Sequence, residues 1–107
     1  MKYFKFIEMI RSAKATEKGI DNFPKDADII DNIIFTMECL DEIREKYEQP
    51  IFISSGYRCD ELNKAVGGVK TSQHRKGQAV DVNLGSVEKN RTFFNYCANN
   101  IEDLPID

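Results

Sequence analysis

The sequence lacks the features that mark membrane, secreted and nucleic-acid-binding proteins. No apolar run approaches the ~20 residues that a membrane helix needs. Charges at Lys5, Glu8 and Arg11 interrupt the N-terminal stretch where a secretory signal would be continuously apolar, so we expect synthesis in the cytoplasm without a signal peptide. A net charge of −3 disfavours non-specific nucleic-acid binding, which depends on neutralising phosphates. We therefore expect neither a membrane nor a nucleic acid as partner.

Cysteine is also scarce. The chain has three cysteines, Cys39, Cys59 and Cys97, which are widely spaced and include no CxxC pair. This odd count fits a reducing compartment better than a disulfide framework. The 107 residues, 41% of them hydrophobic and 31% charged, have the composition of a globular protein. We therefore predict a single domain over residues 1–107, with one modest core.

The charges are unevenly distributed along the chain. Residues 58–76 hold five basic and two acidic side chains, whereas the segments 1–57 and 77–107 each carry a net charge of −3. A solvated loop is the simpler interpretation of this basic segment. The alternative is a local attraction for a small anionic substrate.

Hydrophobic periodicity predicts a mixed α and β domain. The apolar spacing indicates a short helix over residues 3–14, a long helix from Asp26 to the neighbourhood of Pro50, a short helix over residues 60–66, and a last helix that follows Ser86. The last helix has an apolar stripe made of Val87, Phe93, Phe94, Cys97 and Ile101. Two β-prone runs lie at residues 51–53 and 78–84, and the C-terminal tail is expected to be extended.

His74, the only histidine, precedes Asp81 by seven residues. The alternation of residues 78–84 turns Asp81 away from the apolar face of the predicted strand. A hairpin through Lys76-Gly77 would bring the imidazole and the carboxylate to one side, where the pair suits a zinc ion with coordination positions left for other ligands. The alternative is that a lone histidine is an ordinary surface or hydrogen-bonded residue.

The surroundings of this pair carry a family resemblance. Three motifs occur in order, which are Ser55-Gly56-Tyr57-Arg58, Leu62-Asn63-Lys64-Ala65-Val66-Gly67-Gly68 and Ser72-Gln73-His74-Arg75-Lys76-Gly77-Gln78-Ala79-Val80-Asp81. They resemble the zinc D-alanyl-D-alanine carboxypeptidases and murein endopeptidases, in the superfamily that also contains lysostaphin-type enzymes and the hedgehog signalling domain. The resemblance extends more loosely upstream through residues 19–24 and the long helix. It implies an α+β fold with a small antiparallel sheet packed against helices.

The resemblance also implies roles for four residues. His74 and Asp81 would be zinc ligands. Arg58 would bind a substrate carboxylate or support the developing oxyanion, and Ser72 would form hydrogen bonds beside the substrate or the ligand loop. The alternatives are a surface ion pair for Arg58 and a turn hydroxyl for Ser72. Tyr57 is interpreted as a packing residue.

The sequence departs from the family pattern at its C-terminal end. The family supplies a third ligand histidine and a catalytic glutamate in a later segment that resembles E-x-x-W-x-H, whereas this sequence has one histidine, no tryptophan, and ends at Asp107. We therefore expect a C-terminally truncated domain that lacks the closing strand and holds no catalytic residue. Zinc binding is expected to be weak or absent, because each missing ligand removes coordination energy. The spacing of Glu102, Asp103 and Asp107 gives no support for replacement ligands.

Three functional interpretations remain open. The first is a zinc metallopeptidase domain that acts on peptidoglycan stem peptides, as a carboxypeptidase or an endopeptidase, and that is inactive or incomplete as this chain. The second is a non-catalytic module that binds a wall peptide or a protein on the same fold, and the third is a structural remnant. Action on the cell wall without a signal peptide would require release by another route, as for a phage lysis gene or a prophage remnant.

A missing closing strand predicts self-association. It would leave a sheet edge unpaired and apolar residues uncovered, and a second copy of the chain can cover both. We expect a dimer or larger oligomer at high protein concentration, measured by analytical ultracentrifugation. A strictly monomeric sedimentation profile at high concentration would contradict this prediction.

Overall fold

The computed structural model describes residues 3–105. Its α-helices are α1 (Phe6–Ile10), α2 (Ala13–Lys18), α3 (Ala27–Tyr47), α4 (Asp60–Ala65) and α5 (Val87–Asn99), with 3-10 turns at Gln73–Lys76 and Ile101–Asp103. The strands β1 (Phe52–Ser55) and β2 (Asp81–Asn83) form an antiparallel two-stranded sheet. The predicted α+β class with a small antiparallel sheet is confirmed. Within the described residues, every helix is too short or too polar to cross a membrane.

The long helix α3 is the main support of the core. The carboxylate of Asp26 accepts a hydrogen bond from the Asp28 N–H and so caps the first turn. One face of the helix buries apolar side chains against α1, β1 and the end of β2. The buried cluster consists of Phe4, Met9, Ile10, Ile33, Met37, Leu40, Ile51, Ile53, Tyr57 and Leu84.

The prediction of one helix over residues 3–14 is wrong. The chain forms two helices, α1 and α2, which are separated at Arg11 and Ser12. Ser12 has an extended backbone, and its Oγ accepts a hydrogen bond from the Ala15 N–H at 3.1 Å. Because an N-capping serine cannot continue the preceding helix, it ends α1 and begins α2.

Strand β2 is shorter than the predicted run 78–84, β1 is displaced toward Ser55 from the predicted run 51–53, and the register is irregular. Ile53 lies opposite Val82 and Ser55 lies opposite Asp81, with a bulge between Ile53 and Ser55. The predicted alternation holds in β2, because Asp81 is exposed while Val82 is half-buried. The predicted hairpin through Lys76-Gly77 is wrong. Strand β2 pairs with β1, and the residues before it form the 3-10 turn Gln73–Lys76.

Only part of the predicted apolar stripe on α5 is covered. The ring of Phe93 packs edge-on against Tyr47 of α3 at 4.9 Å between centroids. Val87, Phe94 and Ile101 are 74%, 69% and 49% exposed. Successive residues of an α-helix point about 100° apart, so Phe94 cannot share the narrow stripe that Phe93 uses. The tail also differs from the prediction, since it forms a 3-10 turn before Leu104.

A groove of about 730 Å³ lies on the apolar side of β2, between α3 and α5. Its walls include Cys39, Val80, Val82 and Cys97. Burial raises the pKa of the Cys97 thiol, which keeps it protonated at neutral pH.

The 3-10 turn Gln73–Lys76 packs against α3 through Gly77, the residue that follows it. This residue has φ +72°, and a Cβ there would lie 2.6 Å from Ile33 Cγ1. We expect Gly77→Ala to destabilise the protein by about 2–4 kcal/mol, because backbone strain adds to overpacking. Gly19 is the matched control, since it has φ +66° but no described atom within 4 Å of its Cβ position. Gly19→Ala should lower the free energy of unfolding by about 1–2 kcal/mol. Equal losses for the two variants, measured by urea unfolding, would contradict the close packing of the 3-10 turn against α3.

Candidate metal centre

The imidazole of His74 is held in a single orientation. Its Nδ1 lies 2.7 Å from the main-chain oxygen of Gly56, at the end of β1. A carbonyl oxygen can only accept a hydrogen bond, so Nδ1 carries a proton and Nε2 is the ring atom that faces away from β1. The residue is buried, and its main-chain N–H donates to the Oγ of Ser72 at 3.2 Å.

Asp81 presents a carboxylate to Nε2 of His74. It is the first residue of β2, its side chain is 64% exposed, and its Oδ2 lies 3.4 Å from His74 Nε2. Its main-chain oxygen accepts a hydrogen bond from the Ser54 hydroxyl at 3.1 Å. Two ligand atoms bound to one zinc ion at about 2.0–2.2 Å in tetrahedral geometry lie roughly 3.4 Å apart. The two donors are therefore spaced as ligands of one ion would be.

A third donor does not join this pair within residues 3–105. No group of three His, Cys, Asp or Glu side chains in that range could hold a metal ion. Glu102 and Asp103 are exposed in the last 3-10 turn, and Asp107 lies outside the described residues. The donor set described is thus one imidazole nitrogen and one carboxylate oxygen.

Arg58 lies beside the imidazole turn. Its main-chain N–H donates to the main-chain oxygen of His74 at 3.0 Å. Its side-chain Nε is buried and has no hydrogen-bond partner among the described residues. An unsatisfied guanidinium N–H is costly to bury.

Ser72 caps the 3-10 turn, because its Oγ accepts the His74 N–H. This contact places the hydroxyl in the turn that carries the imidazole. Tyr57 is 7% exposed and belongs to the core, in agreement with the packing interpretation. Burial raises the pKa of its phenol and is the main cause of the shift.

Sequence reasoning missed the contribution of Asn22. This buried side chain donates to the main-chain oxygens of Ile10 at 2.7 Å and Tyr57 at 3.0 Å, and accepts from the Cys59 N–H at 2.8 Å. Two of these bonds are made with Tyr57 and Cys59, the residues immediately before and after Arg58. The only signal was the loose resemblance of residues 19–24, because asparagine in a turn-rich segment is normally exposed.

The histidine and aspartate that converge in this small α+β domain are donors of the kind that zinc peptidases use. A family model described as Peptidase M15 matches residues 2–102, and the chain belongs to this family. The family is generally zinc-dependent, which agrees with the nature of the two donors. No curated protein and no solved structure matched the chain.

The three bonds of Asn22 predict a sensitive position. Asn22→Asp keeps the size of the side chain but removes both N–H donors, and it places a carboxylate against the oxygens of Ile10 and Tyr57. We expect a loss of about 2–4 kcal/mol at neutral pH, measured by urea unfolding.

Asn90→Asp is the control for this substitution. The Oδ1 of Asn90 accepts from the Leu84 N–H at 2.7 Å, a role that a carboxylate keeps, and its amide nitrogen makes only a 3.4 Å contact with exposed Asn83. We expect a cost under about 1 kcal/mol. Comparable losses in the two variants would contradict the importance of the Asn22 donors.

Proposed function

We propose that this chain is a domain of a zinc metallopeptidase that acts on the D-amino-acid-containing stem peptides of peptidoglycan, as a D-alanyl-D-alanine carboxypeptidase or an endopeptidase. His74 and Asp81 are its zinc ligands. The observation that carries the proposal is the 3.4 Å distance between His74 Nε2 and Asp81 Oδ2, with Nδ1 bound to a main-chain oxygen.

The contact between Nδ1 and Gly56 supports the ligand role of His74. Metal-binding histidines almost always donate their second ring N–H to a carboxylate, a carbonyl or a water molecule, which orients the ring. Gly56 itself lies so close to α1 that a Cβ would stand 2.3 Å from the main-chain oxygen of Met9. The next residue, Tyr57, donates its N–H to that same oxygen at 2.7 Å. The strand end that orients the imidazole is therefore tied to the core.

Arg58 is the proposed substrate-binding residue. Its main chain contacts the His74 turn, and its buried Nε lacks a partner among the described residues. The segment 58–76 carries an excess of basic side chains, which attracts anions. A guanidinium in this position binds the carboxylate of a stem peptide or the oxygen that becomes negative during peptide hydrolysis. Ser72 supports the ligand turn through its bond to the His74 N–H.

The chain's own contribution is to hold the two ligands and the substrate. Zinc, when bound, supplies Lewis acidity to a peptide carbonyl and lowers the pKa of water. A catalytic zinc site normally has three protein ligands and a general base, and residues 3–105 bring two donors together. We therefore propose weak zinc binding and little or no hydrolysis by this chain alone. Binding of stem peptides without catalysis is the second candidate function, favoured by the unpartnered Arg58 Nε.

A zinc titration of the metal-stripped protein tests the ligand assignment. We expect His74→Ala and Asp81→Ala each to weaken zinc binding at least about tenfold at neutral pH, because each removes one of two donors. Asp31→Ala is the control, since Asp31 is an exposed carboxylate on α3, and it should bind zinc like the wild type. Equal affinity in all four proteins would contradict the proposal.

The same proteins separate the two candidate functions. We expect binding of a stem peptide ending in D-Ala-D-Ala, followed by NMR, to depend on zinc and to weaken in His74→Ala. Peptide binding that survives this substitution unchanged would favour the non-catalytic module.

A further inference from the structure

We propose that Arg75 is a positioning residue that holds the segment carrying Arg58 against the turn carrying His74. The importance of that spacing for zinc and substrate rests on the proposed function. The positioning itself rests on contacts that are independent of it.

Three contacts join the two segments. The imidazole of His74 meets the main-chain oxygen of Gly56, and the His74 main-chain oxygen accepts from the Arg58 N–H. The third contact is the ion pair between Arg75 Nε and Asp60 Oδ1 at 2.7 Å. On the segment that carries Arg58, the contacting residues are Gly56, Arg58 and Asp60, which are two positions apart. On the other segment they are the adjacent residues His74 and Arg75. The ion pair is made by side chains that are neither proposed ligands nor substrate-binding groups, so it can be removed without touching the site.

The guanidinium of Arg75 has a second contact. Its Nη1 donates to the main-chain oxygen of Lys70, in the loop between α4 and the 3-10 turn. One planar group therefore bridges the first turn of α4 and that loop, which requires donors that point in two directions. Lysine carries the same charge but no planar fork. The Arg75 side chain is 31% exposed, so the contact is partly shielded from solvent, whereas Asp60 is 81% exposed.

The placement of these contacts defines what Arg75 does. Asn22 holds the main chain on both sides of Arg58 and bonds to α1 at Ile10. Arg75 ties the same segment to a different element, since its ion pair joins the residue after His74 to Asp60, two residues after Arg58. Loss of the ion pair leaves the Arg58 segment attached to α1 and loosens it from the His74 turn. This selective loosening distinguishes positioning from general stabilisation.

Amide hydrogen exchange in the metal-free protein measures this loosening. We expect Arg75→Ala to speed exchange of the Arg58 N–H, which bonds to His74, by about three- to fivefold. The Tyr57 N–H bonds to Met9 and should change little. Lys25→Ala is the matched control, because it removes an exposed ion pair with Asp21 of the same 2.7 Å length elsewhere in the chain. It should leave both amides unchanged.

Two further variants test the geometry of the contact. Arg75→Lys should lie between the wild type and Arg75→Ala, because it restores the charge and at most one of the two contacts. Asp60→Ala should speed Arg58 exchange, and the double variant with Arg75→Ala should add less than the product of the single effects. Unchanged Arg58 exchange in Arg75→Ala, or equal acceleration at Arg58 and Tyr57, would overturn the proposal.

Zinc titration of the same variants links the positioning to the site. We expect Arg75→Ala to weaken zinc binding about three- to tenfold, and Lys25→Ala to leave it unchanged. A wild-type chain that binds no zinc would overturn the proposed function, while the exchange data would still decide the role of Arg75. Accelerated exchange with unaltered zinc affinity would confirm the restraint on Arg58 and show that this restraint does not govern zinc binding.

Discussion

The hydrogen bond between His74 Nδ1 and the Gly56 main-chain oxygen is the contact on which the candidate site depends. It joins the 3-10 turn to the end of β1, orients the ring, and leaves Nε2 to face Asp81. Because β2 pairs with β1, the same strand also sets the position of the Asp81 carboxylate. One short strand thus positions both donors. The 3.4 Å separation of the donor atoms follows from backbone geometry rather than from long flexible side chains.

The long helix α3 gives this arrangement a rigid base. Thr36 Oγ1 donates to the main-chain oxygen of Gly77 at 2.7 Å, and Asn32 Nδ2 donates to that of Lys76 at 3.0 Å. These bonds satisfy carbonyls at the end of the 3-10 turn, where no further turn of helix provides donors. The turn is therefore bound on one side by α3 and on the other by β1. A site held between two well-packed elements needs little reorganisation to receive an ion.

The sequence predicted features that repeat along the chain and missed features that depend on contacts between distant residues. The existence and approximate bounds of α3 followed from a sustained 3–4 spacing of apolar residues and from Pro50 near its end. The closeness of His74 and Asp81 was expected, although through a hairpin that does not form. The hairpin prediction failed because strand pairing is decided by partners far along the chain, and β2 pairs with β1 instead.

Asn22 and Arg75 could not be predicted for the same reason. Asn22 bonds to residues 12, 35 and 37 positions away, and Arg75 meets an aspartate 15 positions away. Such contacts between a single side chain and a loop leave no periodic trace in the sequence. The exposure of Phe94 was missed for a different reason, since spacing identifies a helix but the width of its covered face depends on its neighbours.

The close approach of Gly56 to Met9 has an evolutionary consequence. The atom that orients the imidazole belongs to the main chain, so mutation of a neighbouring side chain cannot delete it. The orientation of the His74 imidazole should therefore tolerate changes in neighbouring side chains. Insertions, deletions or a bulky residue that displaces the backbone at Gly56 should disturb it. Transplanting the centre into another scaffold would require residues 52–58 as an intact unit, together with a main-chain acceptor placed as the Met9 oxygen is.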